Sequence, residues 1–213
     1  MRPGTQRESI VGLVGRIECA IDQPAQLDKA RGLALVAHPH PLFGGTLDNK
    51  VVQTLAKCFV DLGFVALRPN FRGVGATEGT HDEGRAEVDD LLCVLNWASQ
   101  QFGAQLAQTT VLAGFSFGAF VQSHVAQRLI QQQQPAQRLV LIGTAAKRFN
   151  VVDVPTDTLV IHGERDETVP LNHVLDWARP QELPVVVIPG ADHFFHGRLH
   201  QIRDIVRRHW LST

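Results

Sequence analysis

The chain is poor in cysteine, in excess charge of either sign and in long apolar runs. Its three cysteines, Cys19, Cys58 and Cys93, are scattered over 213 residues and form no Cys-x-x-Cys. An odd, dispersed set argues against a disulfide framework or a zinc ribbon. Such residues are expected as buried small hydrophobes in a reducing compartment. Lys and Arg number 20 against 21 Asp and Glu. That balance gives no electrostatic reason to expect nucleic acid or an anionic membrane as a partner. No apolar run reaches the ~18 residues that a membrane-spanning helix needs. The opening MRPGTQRESIVGLVG lacks the sustained apolar stretch of a secretory leader, so a cytoplasmic protein is expected. No internal repeat and no interdomain linker is visible. Hydrophobic residues at 44% and charged residues at 19% are enough for one domain over residues 1–213 with a sizeable core. Nothing in the composition decides the oligomeric state.

Short apolar runs alternate with helical periodicity. Residues 9–22 read as one or two opening strands, and 32–38, 64–71, 109–114, 138–144, 157–163 and 183–190 as further strands. Helices are expected over 49–62, 84–103, 117–131, 170–178 and 195–211. This order predicts an α/β fold, a mostly parallel sheet with helices on both faces. Ligand groups in such sheets sit on loops beyond the carboxyl ends of strands.

Those loops carry chemistry. After strand 109–114 comes Gly114-Phe115-Ser116-Phe117-Gly118, a G-x-S-x-G at a strand-to-helix turn. A sharp turn lifts the hydroxyl clear of the backbone, and glycines let the flanking segments pass closely. The helix start behind it offers free N–H groups for a developing oxyanion. A serine nucleophile needs a base, and the base an orienting acid. Asp166 follows strand 157–163 and His193 follows strand 183–190. Glu164, Glu167, Asp192 and His196 are rivals, with Asp166 and His193 preferred by position.

In the order HPHPLFGGTLDNKVV, NFRGVGATEG, GFSFG, HGERDETVP and GADHFF, the chain resembles the α/β-hydrolase superfamily. More narrowly it resembles the small, lidless, dienelactone-hydrolase-like serine hydrolases, over residues of about 9 to 211. The resemblance implies an α/β-hydrolase fold without a cap, with Ser116 as nucleophile, His193 as general base and Asp166 as its orienter. It implies no metal and no organic cofactor. Dienelactone hydrolases themselves use a cysteine nucleophile where this chain has Ser116, and Thr77 stands where relatives commonly carry serine.

An oxyanion hole needs two donors. The first is expected to be the Phe117 N–H. The second should come from HPHPLFGG, where Pro39 and Pro41 have no N–H. The resemblance favours Leu42, with His40 as runner-up. His38 and His40 form an H-x-H pair, and His81 is available, but no third ligand has convincing spacing for zinc. His38 is expected beneath the loop, holding it by hydrogen bonds. Arg72 either binds a substrate carboxylate or pairs with Glu78 or Asp82. Glu87, Asp89 and Asp90 read as a solvated helix face. Phe43 and Phe194 are substrate-contact candidates, as are Phe115, Phe117, Phe149 and Phe195, although Phe115 also reads as core.

Only about a dozen residues separate strand 138–144 from the next, too few for a cap. An open site and a small or accessible carboxylic ester or thioester substrate are expected, cleaved through an acyl-enzyme on Ser116. Peptidase or lactonase activity on the same residues is the alternative. A non-catalytic binding scaffold or a metal hydrolase built on His38 and His40 would be other classes.

Overall fold

The computed structural model describes residues 4–211. The chain begins with a hairpin, β1 (Thr5–Val11) and β2 (Arg16–Asp22). It continues through β3 (Gly32–Ala37), α1 (Lys50–Asp61), β4 (Phe64–Pro69), α2 (Arg85–Phe102), a short α3 (Ala104–Ala107) and β5 (Thr110–Phe115). Then come α4 (Phe117–Gln131), β6 (Arg138–Ile142), β7 (Leu159–Gly163), α5 (Leu171–Ala178), β8 (Val185–Ile188) and α6 (Leu199–Leu211). The eight strands form one sheet in the order β1-β2-β4-β3-β5-β6-β7-β8. The β1–β2 and β2–β4 pairings are antiparallel and all others parallel.

The continuous apolar runs are explained by burial on both faces. In β3, Leu33, Leu35 and Ala37 pack into one cluster with Val88, Leu91 and Val94 of α2 and Val121 and Val125 of α4. The intervening Ala34 and Val36 pack into a second cluster with Val52, Leu55 and Phe59 of α1 and Ile202, Val206 and Trp210 of α6. A smaller cluster holds Val174 and Ala178 of α5 against Val160. Asn49 caps α1, its Oδ1 accepting from the Val51 N–H at 2.9 Å. Gly63, with φ 91°, ends it.

Two expectations are adjusted. The last helix begins at Leu199, because residues 190–198 form turns that carry His193. Glu87 and Asp90 are buried, not solvated. Glu87 accepts from the N–H groups of Asp82 and Gly84 and faces His81 Nδ1 at 2.7 Å, anchoring the loop before α2. Residues 143–158 contain neither helix nor strand, so no lid covers the carboxyl edge of the sheet. Cys19 and Cys58 are buried thiols, raised by burial to about 12, and no cysteine is in a disulfide. Among the described residues no helix is long and apolar enough to cross a membrane.

Candidate active site

Ser116 sits between β5 and α4 with φ 56° and ψ −113°. Such a backbone is strained for a residue with a Cβ and persists only where the surroundings impose it. Here they do. Its N–H donates to Ile142 O of β6 at 2.9 Å. A Cβ at Gly114 would lie 2.3 Å from Gly118 O, and one at Gly118 would lie 2.4 Å from Ala37 O. The two glycines therefore let α4 start directly over the ends of β5 and β3, aiming the serine hydroxyl out of the sheet edge.

His193 and Asp166 reach the same point from the loops after β8 and β7. Ser116 Oγ and His193 Nε2 are 3.0 Å apart, and His193 Nδ1 and Asp166 Oδ2 are 2.6 Å apart. The other Asp166 oxygen accepts from the N–H groups of Thr168 at 3.0 Å and Val169 at 2.7 Å. Those two bonds hold the carboxylate so that it presents Oδ2 to the imidazole. All three side chains are largely buried. The rivals have other partners. Glu164 accepts from the Gly190 N–H at 2.7 Å, tying the acid loop to the histidine loop. Glu167 is exposed. Asp192 pairs with His196 at 2.6 Å, which draws Asp192 well below the usual carboxylate range.

One residue of this group was not expected from the sequence. His162, the fourth residue of β7, is fully buried, and its Nε2 lies 2.8 Å from Val169 O and 3.4 Å from Asp166 Oδ2. Burial holds it neutral by lowering its pKa. A carbonyl only accepts, so Nε2 carries the proton and presents it to Val169 O and, at longer range, to Asp166. Its only sequence signal is its place at a strand end, four residues before the acid.

The loop after β3 is held by two histidines. His38 Nδ1 donates to Pro39 O at 2.6 Å and Nε2 accepts from the Phe71 N–H at 2.9 Å. Burial pushes His38 down to about 4, so the ring is neutral. Both its nitrogens are engaged, which leaves none for a metal. Among the described residues no group of three His, Cys, Asp or Glu could hold one. His40 is also pushed down, by burial first and then by His81 and Arg148. Its ring packs on Phe43, Phe117 and His81 at centroid distances of 4.7, 4.8 and 4.9 Å.

The preference for Leu42 as second oxyanion donor is corrected. The Leu42 N–H donates to His40 Nδ1 at 3.2 Å, and Leu42 lies outside the cleft beside Ser116. His40 lines that cleft, and its N–H makes no hydrogen bond among the described residues. The Phe117 N–H is the first of α4 and has no intrahelical partner. The N–H groups of His40 and Phe117, both of residues that line the cleft with Ser116, are therefore free to donate there.

Arg72 is corrected too. Its Nε and Nη2 donate to Asp90 of α2 at 2.5 and 3.0 Å, and the pair is buried. Glu78 pairs with Arg16 and Asp82 with Arg85. Buried, with the Nε and Nη2 side of its fork on Asp90 and no place in the cleft lining, Arg72 stands away from a substrate bound at Ser116. Thr77 uses its hydroxyl internally, accepting from the Glu18 N–H and donating to Asn70 O.

The cleft has a volume of about 270 Å³. Phe43, Phe117, Phe149 and Phe194 line it with His40, Asn49 and Arg148, while Phe115 and Phe195 belong to the core. Phe43 and Phe194 are exposed at its rim.

Comparison with known proteins bears on the family and the fold. Residues 16–142 match the profile of the X-Pro dipeptidyl-peptidase (S15) family, a stretch that includes Ser116 but ends before Asp166 and His193. An uncharacterised protein of Rickettsia prowazekii is 31% identical over 193 residues, covering 84% of this chain and 79% of that one. A lidless α/β serine hydrolase from Xanthomonas campestris superposes with a TM-score of 0.86 at 35% identity, covering 98% of this chain and 94% of that one. A serine hydrolase homologue from Coxiella burnetii gives 0.85 at 37% identity, with 98% of each chain covered. The chain therefore belongs to the S15 family within the α/β-hydrolase superfamily, and is a serine hydrolase of the lidless kind.

Proposed function

We propose that the protein is a carboxylesterase acting on small or accessible esters and thioesters. The observation that carries this reading is the Ser116–His193–Asp166 relay, with contacts of 3.0 and 2.6 Å, at the wall of an uncovered aromatic cleft. Ser116 Oγ attacks the ester carbonyl carbon while its proton passes to His193 Nε2. The carbonyl oxygen becomes an oxyanion between the N–H groups of Phe117 and His40. Collapse of the tetrahedral adduct breaks the bond to the alcohol or thiol, which takes the proton from Nε2. Water then attacks the acyl-enzyme, giving its proton to Nε2, and Ser116 is released with the acid. Asp166 keeps the Nδ1–H tautomer and stabilises the imidazolium.

The family's name raises a second reading, release of X-Pro dipeptides. An enzyme that counts from a free amino terminus needs an acceptor, normally a carboxylate, to hold the ammonium. No Asp or Glu lines this cleft, and Arg148 does. That charge pattern favours the esterase reading over the peptidase one.

Intact-mass spectrometry after a fluorophosphonate, beside p-nitrophenyl acetate turnover, tests the proposal. Wild type should gain one adduct and Ser116→Ala none, with turnover lowered by about 10³-fold or more. A well-folded wild type with neither adduct nor turnover would mean a binding scaffold instead. Faster release from Gly-Pro-p-nitroanilide than from the acetate would favour the peptidase reading.

A further inference from the structure

Thirteen residues line the cleft, and Arg148 is the only one with a permanent charge. It sits in the irregular segment between β6 and β7, where its neighbours are otherwise engaged. Lys147 is held by Asp176, which also pairs with Arg179. Arg148 makes no ion pair among the described residues, and its guanidinium lies over the Phe43 ring, 5.4 Å from the centroid. Phe43 packs on His40, and His40 packs on Phe117. The cation thus stands at the outer end of an aromatic wall that runs inward to the residue after the nucleophile.

An arginine on the open surface attracts anions weakly, because water screens it. This one differs in two respects. Although Arg148 is exposed, one face of its guanidinium lies on the Phe43 ring, which restrains the planar fork with its donors free. No carboxylate in the cleft opposes its field, so the cleft as a whole favours anions over cations.

We propose that Arg148 is a specificity-determining residue, selecting esters that carry a carboxylate on the arm leaving the cleft past Phe43. The inference rests on the esterase reading and names its substrate class. The guanidinium would take the carboxylate by two parallel N–H···O bonds, leaving the ester carbonyl to reach Ser116.

Two matched pairs of esters test this and tell the arms apart. p-Nitrophenyl hemiadipate against p-nitrophenyl hexanoate places the charge on the acyl side. 4-Acetoxybenzoate against its methyl ester places it on the alcohol side. Within each variant the quantity read is the ratio of kcat/KM for charged over neutral ester, so a general loss of activity cancels. In wild type one of the two ratios should exceed that in Arg148→Gln by about tenfold. Arg148→Lys should keep part of the gain, and Lys147→Gln, outside the cleft, all of it. Raising the salt to about 0.5 M should shrink it. Ratios the same in wild type and Arg148→Gln for both pairs, with neutral esters turned over, would overturn the inference and leave the esterase reading intact. No turnover of any of the four, with no fluorophosphonate adduct, would overturn both.

Discussion

At Ser116 one backbone conformation sets an otherwise ordinary serine against His193 at the cleft wall, and its neighbours make the conformation possible. G-x-S-x-G was legible because its requirement is local, two glycines at fixed spacing around a turn. Asp166 and His193 were legible because they follow strands, and strands were easy to see. The second oxyanion donor was not. His40 and Leu42 both have N–H groups on one short loop, and only the folded loop shows that Leu42 gives its own to the His40 ring. This leads to a test at residue scale. His40 has φ −52°, close to the value proline imposes. His40→Pro should delete the N–H with little backbone strain, while His40→Ala keeps it and removes the ring. We expect kcat for p-nitrophenyl acetate to be about 10²-fold lower in His40→Pro than in His40→Ala. Equal rates would point to a different donor. His162 escaped notice because its partners, Val169 O and Asp166, lie in the loop that folds back under the strand end.

Among the elements, the strands were the most legible and the face of α2 the least. Apolar runs buried on both faces need no partner to be recognised, whereas acidic residues in the first turns of a helix ordinarily face water. In α2 the first turns point inward. Asp90 there meets Arg72 from the loop after β4, and burial pushes the Asp90 carboxyl above its usual range although the guanidinium opposes this. Breaking such a pair from one side leaves a buried charge alone, at a cost of about 3–5 kcal/mol. Arg72→Met should lower stability to urea by about that much. Arg72→Met with Asp90→Leu should recover most of it. Neither should alter the KM of the folded fraction for neutral esters, because Arg72 lies outside the cleft. A raised KM with unchanged stability would return Arg72 to the substrate.

Across the whole molecule, four histidines, His38, His40, His162 and His209, have pKa values lowered mainly by burial. Each binds a proton more readily in the unfolded chain, so stability is full above the ordinary histidine value and falls as the pH drops below it. For His38 the window runs from 6.5 down to about 4, and the loss is on the order of 3 kcal/mol across it. Asp176, drawn down to about 2 by Lys147 and Arg179, acts below that window. Urea unfolding of wild type should weaken steadily from pH 6.5 to 4.5. His38→Gln should be less stable at pH 7 yet show a flatter decline. A decline as steep as that of wild type would mean that His38 is not the group responsible. Alternation of apolar runs and helical periods, with chemistry at the strand ends, was enough by itself to determine the fold class and to single out Ser116, His193 and Asp166, which the fold brings together. Each of those rests on contacts within a few residues or on the repeating order of elements. What lay between separate loops was decided only by the tertiary structure: the His40 N–H left free at the cleft, His162 behind Asp166, the Arg72–Asp90 pair and the unopposed charge of Arg148. Their partners stand far apart in sequence or turn on which way one loop folds, and direction and distance in space have no periodic trace in a chain.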